Sequence, residues 1–175
     1  ALVLVIGCVA GGTVAWLVAT SDTVTNTFTY GKIDITLTET ERTYNIVPGV
    51  ALDKDPKVTV KGGSEDCWLF VKVEEAGTFV ANKVTYSIAT GWTQGDGTKI
   101  PSDVYYRSVT AFNTDQAFSV LSGDKITVSD ELTKAEINDL NGAAKTPTLT
   151  FTAYAVQKDG IADAATAWTK VPTNP

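Results

Sequence analysis

Four carboxylates, Asp53, Asp55, Glu65 and Asp66, stand in two short polar stretches and carry the oxygen chemistry that holds Ca²⁺. Their spacing fits no defined calcium loop, and solvated surface is the stronger reading. Ser and Thr are abundant, but the 175 residues include no His. Without it there is no conventional Ser-His-Asp triad, no His-based zinc site and no imidazole general base. Two cysteines, Cys8 and Cys67, are too few for a disulfide scaffold. Cys67 lies in an apolar stretch and reads as an inert core thiol. If the N-terminal segment is retained, Cys8 and Cys67 form a possible disulfide, within a subunit or between subunits. Trp92 lies near glycines, where an exposed indole can serve as a platform for a sugar ring; Trp68, Phe70 and Trp168 read as core. The residues imply no catalytic group, no cofactor and no metal.

Composition narrows the partners. A net charge of −6 repels phosphate backbones, so no nucleic acid is expected. With 43% hydrophobic and 19% charged residues the chain is globular, and its length suits one domain with a real core.

The charge is unevenly spread. The first nineteen residues, ALVLVIGCVAGGTVAWLVA, carry none; the first charged residue is Asp22 and the first basic one Lys32. Three readings compete. As a secretory signal, the apolar run ends at Gly11-Gly12-Thr13-Val14-Ala15, with the small residue a signal peptidase needs. As a spanning helix, nineteen residues at ~1.5 Å rise cover roughly 28 Å, enough for a bilayer core. Gly7, Gly11, Gly12 and many β-branched residues weaken such a helix in water. As a strand, Leu2, Leu4, Ile6 and Cys8 point one way and Val3, Val5, Gly7 and Val9 the other. Both faces are apolar, so the strand needs a groove. Burying about five large side chains at roughly 1.5–3 kcal/mol each gives a gross term on the order of 10 kcal/mol, before ordering costs.

The remainder alternates in short runs. Residues 27–38 read as a half-buried strand, with Ile33, Ile35 and Leu37 against Lys32, Asp34, Thr36 and Thr38. Residues 43–55 read as irregular, and 57–61 alternate again. Residues 67–73, CWLFVKV, form the most apolar stretch of the domain and predict a central strand. Shorter strands are expected over 84–88, 103–110, 118–121 and 125–128, with turns at Gly62-Gly63-Ser64, Gly95-Asp96-Gly97 and Ser122-Gly123-Asp124. A helix capped by Ser129 or Asp130 is expected to run to Leu140 and stop at Asn141-Gly142, with Leu132, Ile137 and Leu140 inward. Residues 148–157, TLTFTAYAVQ, alternate most cleanly, and residues 161–170 predict a short helix with Ala164, Ala165 and Trp168 on one face. Residues 171–175 read as a loose tail. This pattern is mainly β: an antiparallel, jelly-roll-like β-sandwich with one or two short helices and an apolar N-terminal extension. The organisation is an apolar segment over 1–25, the sandwich over 26–172 and a tail at 173–175.

Several segments, in order, resemble the TasA/camelysin family of secreted fibre-forming biofilm matrix proteins. They are Gly11-Gly12-Thr13-Val14-Ala15-Trp16, Thr25-Asn26-Thr27-Phe28-Thr29, Gly31-Lys32-Ile33-Asp34-Ile35, Val47-Pro48-Gly49, residues 54–60 and 64–73, residues 152–160, and Ala167-Trp168. The resemblance implies an exported jelly-roll-like sandwich whose N-terminal strand completes the next subunit. It implies cleavage after Ala15, which would make residues 16–25 the donor; a retained 1–15 would be a more hydrophobic donor. Some members have been classed as metallopeptidases, a feature that does not carry over to a chain without His.

The function expected from the sequence is therefore a structural subunit of an extracellular, cell-surface or biofilm filament. It would polymerise with copies of itself by donor-strand complementation. The donor interface is placed at Leu2, Leu4, Ile6, Cys8, Val14, Trp16 and Val18. The alternatives are a pilin-like or membrane-anchored surface protein, with residues 1–19 helical, and a secreted peptidase. A membrane partner would enter only during export or as that anchor.

Overall fold

A computed structural model of the chain describes residues 32–40, 45–76, 83–140 and 148–172. The strands among these residues are β1 (Ile35–Thr38), β2 (Leu52–Asp53), β3 (Lys57–Val60), β4 (Cys67–Ala76) and β5 (Val84–Thr85). They continue with β6 (Thr93–Gln94), β7 (Val104–Val109), β8 (Gln116–Ser119), β9 (Lys125–Val128) and β10 (Thr148–Gln157). Two short helices, α1 (Lys134–Leu140) and α2 (Ala164–Trp168), follow β9 and β10.

The strands form three sheets in the orders β1-β3-β8, β10-β4-β7-β6 and β2-β9-β5. Every strand pairing is antiparallel. The first two sheets lie face to face as the expected β-sandwich, around Val58 and Val60 of β3, Leu69, Val71 and Val73 of β4, and Val109 and Val120.

β4 is central because both of its faces are apolar, which only a strand covered on both sides can satisfy. Cys67, Leu69, Val71 and Val73 fill the space between the sheets. Phe70, with Trp68 beside it, faces the opposite way into a second core with Ile100, Val104, Ala164, Ala167 and Val171. α2 closes this outer core: the Trp168 ring centroid lies 5.2 Å from that of Phe70 and 5.8 Å from that of Tyr154. The helix starts at Asp163, whose carboxylate accepts the Thr166 amide at 2.7 Å. The loop between β6 and β7 is held by Asp96, which accepts the amides of Thr98, Lys99 and Ile100. Gly95 is required there, because a Cβ would fall 2.1 Å from the Pro101 carbonyl oxygen.

Several local expectations change. The strand expected over 27–38 is confined, among the described residues, to β1, and the irregular stretch before Pro56 contains β2. The helix expected from Ser129 or Asp130 begins at Lys134, because Thr133 caps it. The Thr133 hydroxyl accepts the Glu136 amide and the Glu136 carboxylate accepts the Thr133 amide, a reciprocal capping box. Lys83, in the turn before β5, binds the same carboxylate. The expected helix stop at Asn141-Gly142 lies outside the described residues. Within α2, Ala164, Ala165 and Trp168 pack on the outer core as expected, and Ala167 is buried with them. Val171 belongs to the outer core rather than to a loose tail, whose residues 173–175 lie outside the described residues.

The Lys83 ammonium and the Thr133 donors hold the Glu136 carboxyl at about 2, down from its ordinary 4.5. A depressed carboxylate contributes stability above its unfolded value and loses it as pH falls through the folded one. Amide-exchange protection factors in α1, corrected for the intrinsic pH dependence of exchange, are therefore expected to be unchanged from pH 7 to pH 5, then to fall between about 4.5 and 2. Equal protection at pH 6 and pH 2 would exclude this role.

Candidate functional site: an open seam between the two sheets

A two-sheet sandwich has two long seams where its sheet edges face each other, and here they differ. Trp92 stitches one of them, its indole Nε1–H donating to the Ser119 carbonyl of β8 at 2.9 Å. Beside it the Arg107 guanidinium lies 4.0 Å from the Phe118 ring centroid and 5.5 Å from that of Trp92. Two backbone bonds, Ala89 to Val120 and Ser122 to Ser87, continue the stitching.

The other seam runs between β1 and β10. Ile33, Ile35 and Leu37 face Leu149, Phe151, Ala153 and Ala155, and all seven are half-buried. Two recesses lie along it. One, of about 330 Å³, is bounded by Leu37, Thr38, Glu39, Lys54, Pro56, Leu149, Thr150 and Phe151. The other, of about 250 Å³, lies among Ile33, Ile35, Ala153, Ala155, Val156 and Val171. At the first, Lys54 forms a buried ion pair with Glu39 and places its ammonium 5.4 Å from the Phe151 ring centroid.

β10 pairs on one side with β4 over all ten residues, and among the described residues no strand pairs with its other side. A free edge presents a row of N–H and C=O groups to any passing strand. Soluble proteins blunt such edges with Lys, Pro, bulges or short length. TLTFTAYAVQ has none of these: no charge, no Pro, and ten residues, roughly 34 Å of strand. The seam thus combines an unblunted backbone edge with an apolar floor, which is the chemistry that accepts an extended apolar peptide.

The residues considered for other chemistry are dispersed. Asp53 faces Lys125, and Asp55 accepts the Thr40 amide and hydroxyl. Both precede β3, whereas Glu65 and Asp66 follow it, and Asp66 accepts the Ala111 amide at 2.7 Å. Among the described residues no three His, Cys, Asp or Glu side chains converge as a metal cluster. An acidic recess beside Tyr86 is internally satisfied: Glu74 pairs with Lys72, and Glu75 accepts the Tyr86 hydroxyl. Trp92 is half-buried in the stitched seam rather than standing as an exposed platform.

Cys67 is a free, fully buried thiol, and burial pushes its pKa up to about 11. In a Cys8→Ser chain, Cys67 is expected to resist thiol reagents at pH 8 and to react fully once unfolded. Rapid labelling of the native protein would contradict this. Cys8 and the other residues placed at the donor interface (Leu2, Leu4, Ile6, Val14, Trp16 and Val18) lie outside the described residues. So does the 1–19 segment considered as an anchor. No helix among the described residues is long and apolar enough to cross a membrane.

The seam was not singled out from the sequence, although its signal is present there: ten alternating residues with no gatekeeper charge. Which edge of β10 has no partner strand among the described residues is a property of sheet order. Compared with family models, curated proteins and solved structures, the chain matches none significantly.

Proposed function

We propose that this protein is a structural subunit of an extracellular, cell-surface or biofilm filament. Copies join head to tail when the uncharged N-terminal segment of one enters the β1/β10 seam of another. The observation that carries the reading is the full-length, unblunted edge of β10 above an apolar recess. The uncharged run at the start of the chain supplies a strand of matching chemistry, apolar on both faces and unsuited to water alone. The resemblance of the ordered motifs to the TasA/camelysin family supports the same reading. The protein is on this account structural rather than catalytic, and its partners are copies of itself.

The seam can be blocked at a half-buried position on the rim of the inner core. Ala153→Trp places an indole over the smallest residues of the groove. It is expected to leave circular dichroism and cooperative melting intact while abolishing fibres seen by negative-stain electron microscopy. Wild-type fibre yield from a folded Ala153→Trp protein would reject the seam as the polymerisation site.

A further inference from the structure

Lys54 and Glu39 meet where charges are costly. Their side chains are only 7% and 16% exposed, and the Lys54 ammonium directly contacts a Glu39 carboxylate oxygen. Leu37, Leu149, Phe151 and the fully buried Pro56 wall the recess around them. Taking an ammonium and a carboxylate out of water carries a desolvation penalty on both partners. An amide joining the same two groups carries no charge.

Both side chains hang from a pinned backbone. The Asp55 carboxylate accepts the Thr40 amide at 2.9 Å and the Thr40 hydroxyl at 2.7 Å. Residues 40 and 55 are the immediate neighbours of the pair, so this clamp holds positions 39 and 54 against each other. The Lys54 amide donates to the Asp124 carbonyl at 2.8 Å, which extends the β2–β9 ladder by one residue. The Pro56 carbonyl in turn accepts the Val120 amide at 2.9 Å. Reacting groups held in contact by such a frame behave as if at very high concentration, which removes much of the entropic barrier to joining them.

The two partners also belong to different sheets. Glu39 follows β1 of the first sheet, and Lys54 follows β2 of the third. They lie fifteen positions apart in the chain, so a covalent bond between them would close that loop and tie the two sheets at one corner.

We propose that Lys54 and Glu39 condense to an intramolecular isopeptide bond. A proton passes from the Lys54 ammonium to the Glu39 carboxylate, leaving an amine and a carboxylic acid. The Nζ lone pair then attacks Cδ of Glu39 and forms the C–N bond. The bond from Cδ to the hydroxyl breaks, and the hydroxyl leaves as water with one proton from the nitrogen. Ammonium and carboxylate together contain the atoms of one amide and one water, so no oxidant, nucleotide or other reactant is needed. The apolar wall limits the water that would drive the step backwards. This modification lies within one chain and does not depend on how copies assemble.

Tryptic digestion of the folded full chain tests the bond. The sequence places cleavage sites at Lys32, Arg42, Lys54 and Lys57. An acylated Lys54 is not cut. The denatured digest is therefore expected to contain residues 33–42 joined to residues 43–57, lighter by one water than the two peptides together. Fragmentation should place the link on the Glu39 and Lys54 side chains. In Lys54→Arg, which keeps the charge but cannot form this amide, only the free peptides 33–42 and 43–54 are expected. The linked wild type should also melt above that variant, because the crosslink restricts the unfolded chain. A folded wild-type protein that yields only free peptides after prolonged incubation would overturn the proposal and leave the pair ionic. A link through another carboxylate, such as that of Glu41, would overturn the assignment to Glu39.

Discussion

Deleting residues 1–25 is expected to give a protein that folds, melts cooperatively and stays monomeric, with no fibres at concentrations where the intact chain polymerises. The physical basis is the set of described residues that build the two cores. Among the described residues both are built from positions at or beyond Ile33, and the centre of the sandwich is supplied by β3, β4 and β7. Loss of the segment therefore removes none of the described buried residues of either cluster, but on the proposed reading it removes the strand that would occupy the β1/β10 seam. The measurement is electron microscopy together with sedimentation of the truncated and intact proteins. A second readout links the loss to the seam: a synthetic peptide of residues 1–12 should raise the melting temperature of the truncated protein. A ligand at 100 times its Kd adds about 2.7 kcal/mol to the folded state. Fibres of unchanged morphology from the truncated chain would sink the proposal.

Phe70→Ala is expected to destabilise the domain by about 3–5 kcal/mol. Phe70 is fully buried on the outer face of β4, and its ring meets both Tyr106 and Trp168. Truncation removes the apolar contact that holds α2 on the sheet and leaves a cavity bounded by aromatic rings that cannot collapse into it. For a chain of this size the loss corresponds to a fall of about 6–20 °C in Tm. Because Phe70 points away from the seam, any fibres formed below the new Tm should look like wild type. A change under about 1 kcal/mol in chemical denaturation would show that α2 is not held through this residue.

How much of this was legible beforehand differs by element. β4 and β10 were readable because their apolar residues obey simple periods, continuous in one and alternating in the other. The strands of two residues, β2, β5 and β6, were not: two residues carry no period, and each exists only because a longer neighbour pairs with it. The cap of α1 was misplaced because Ser129, Asp130 and Thr133 are all competent caps. Glu136, gripped by Lys83 in the turn before β5, selects among them. Trp92 looked exposed because its partner, the Ser119 carbonyl, lies 27 residues away.

The amino-acid sequence by itself determined the composition-level facts: an acidic chain without His, a charge-free first segment apolar on both strand faces, and a β-rich remainder. Those follow from residue types and short periods, which no folding can alter. Only the tertiary structure decided that Trp92 and Arg107 stitch one seam and that the whole length of β10 lines the other. Only it put the alanine-lined recess beside Val171, at the end of the sandwich where β10 finishes. Strand order and the relation between sheet edges are set by contacts across scores of residues, and local pattern carries no information about them.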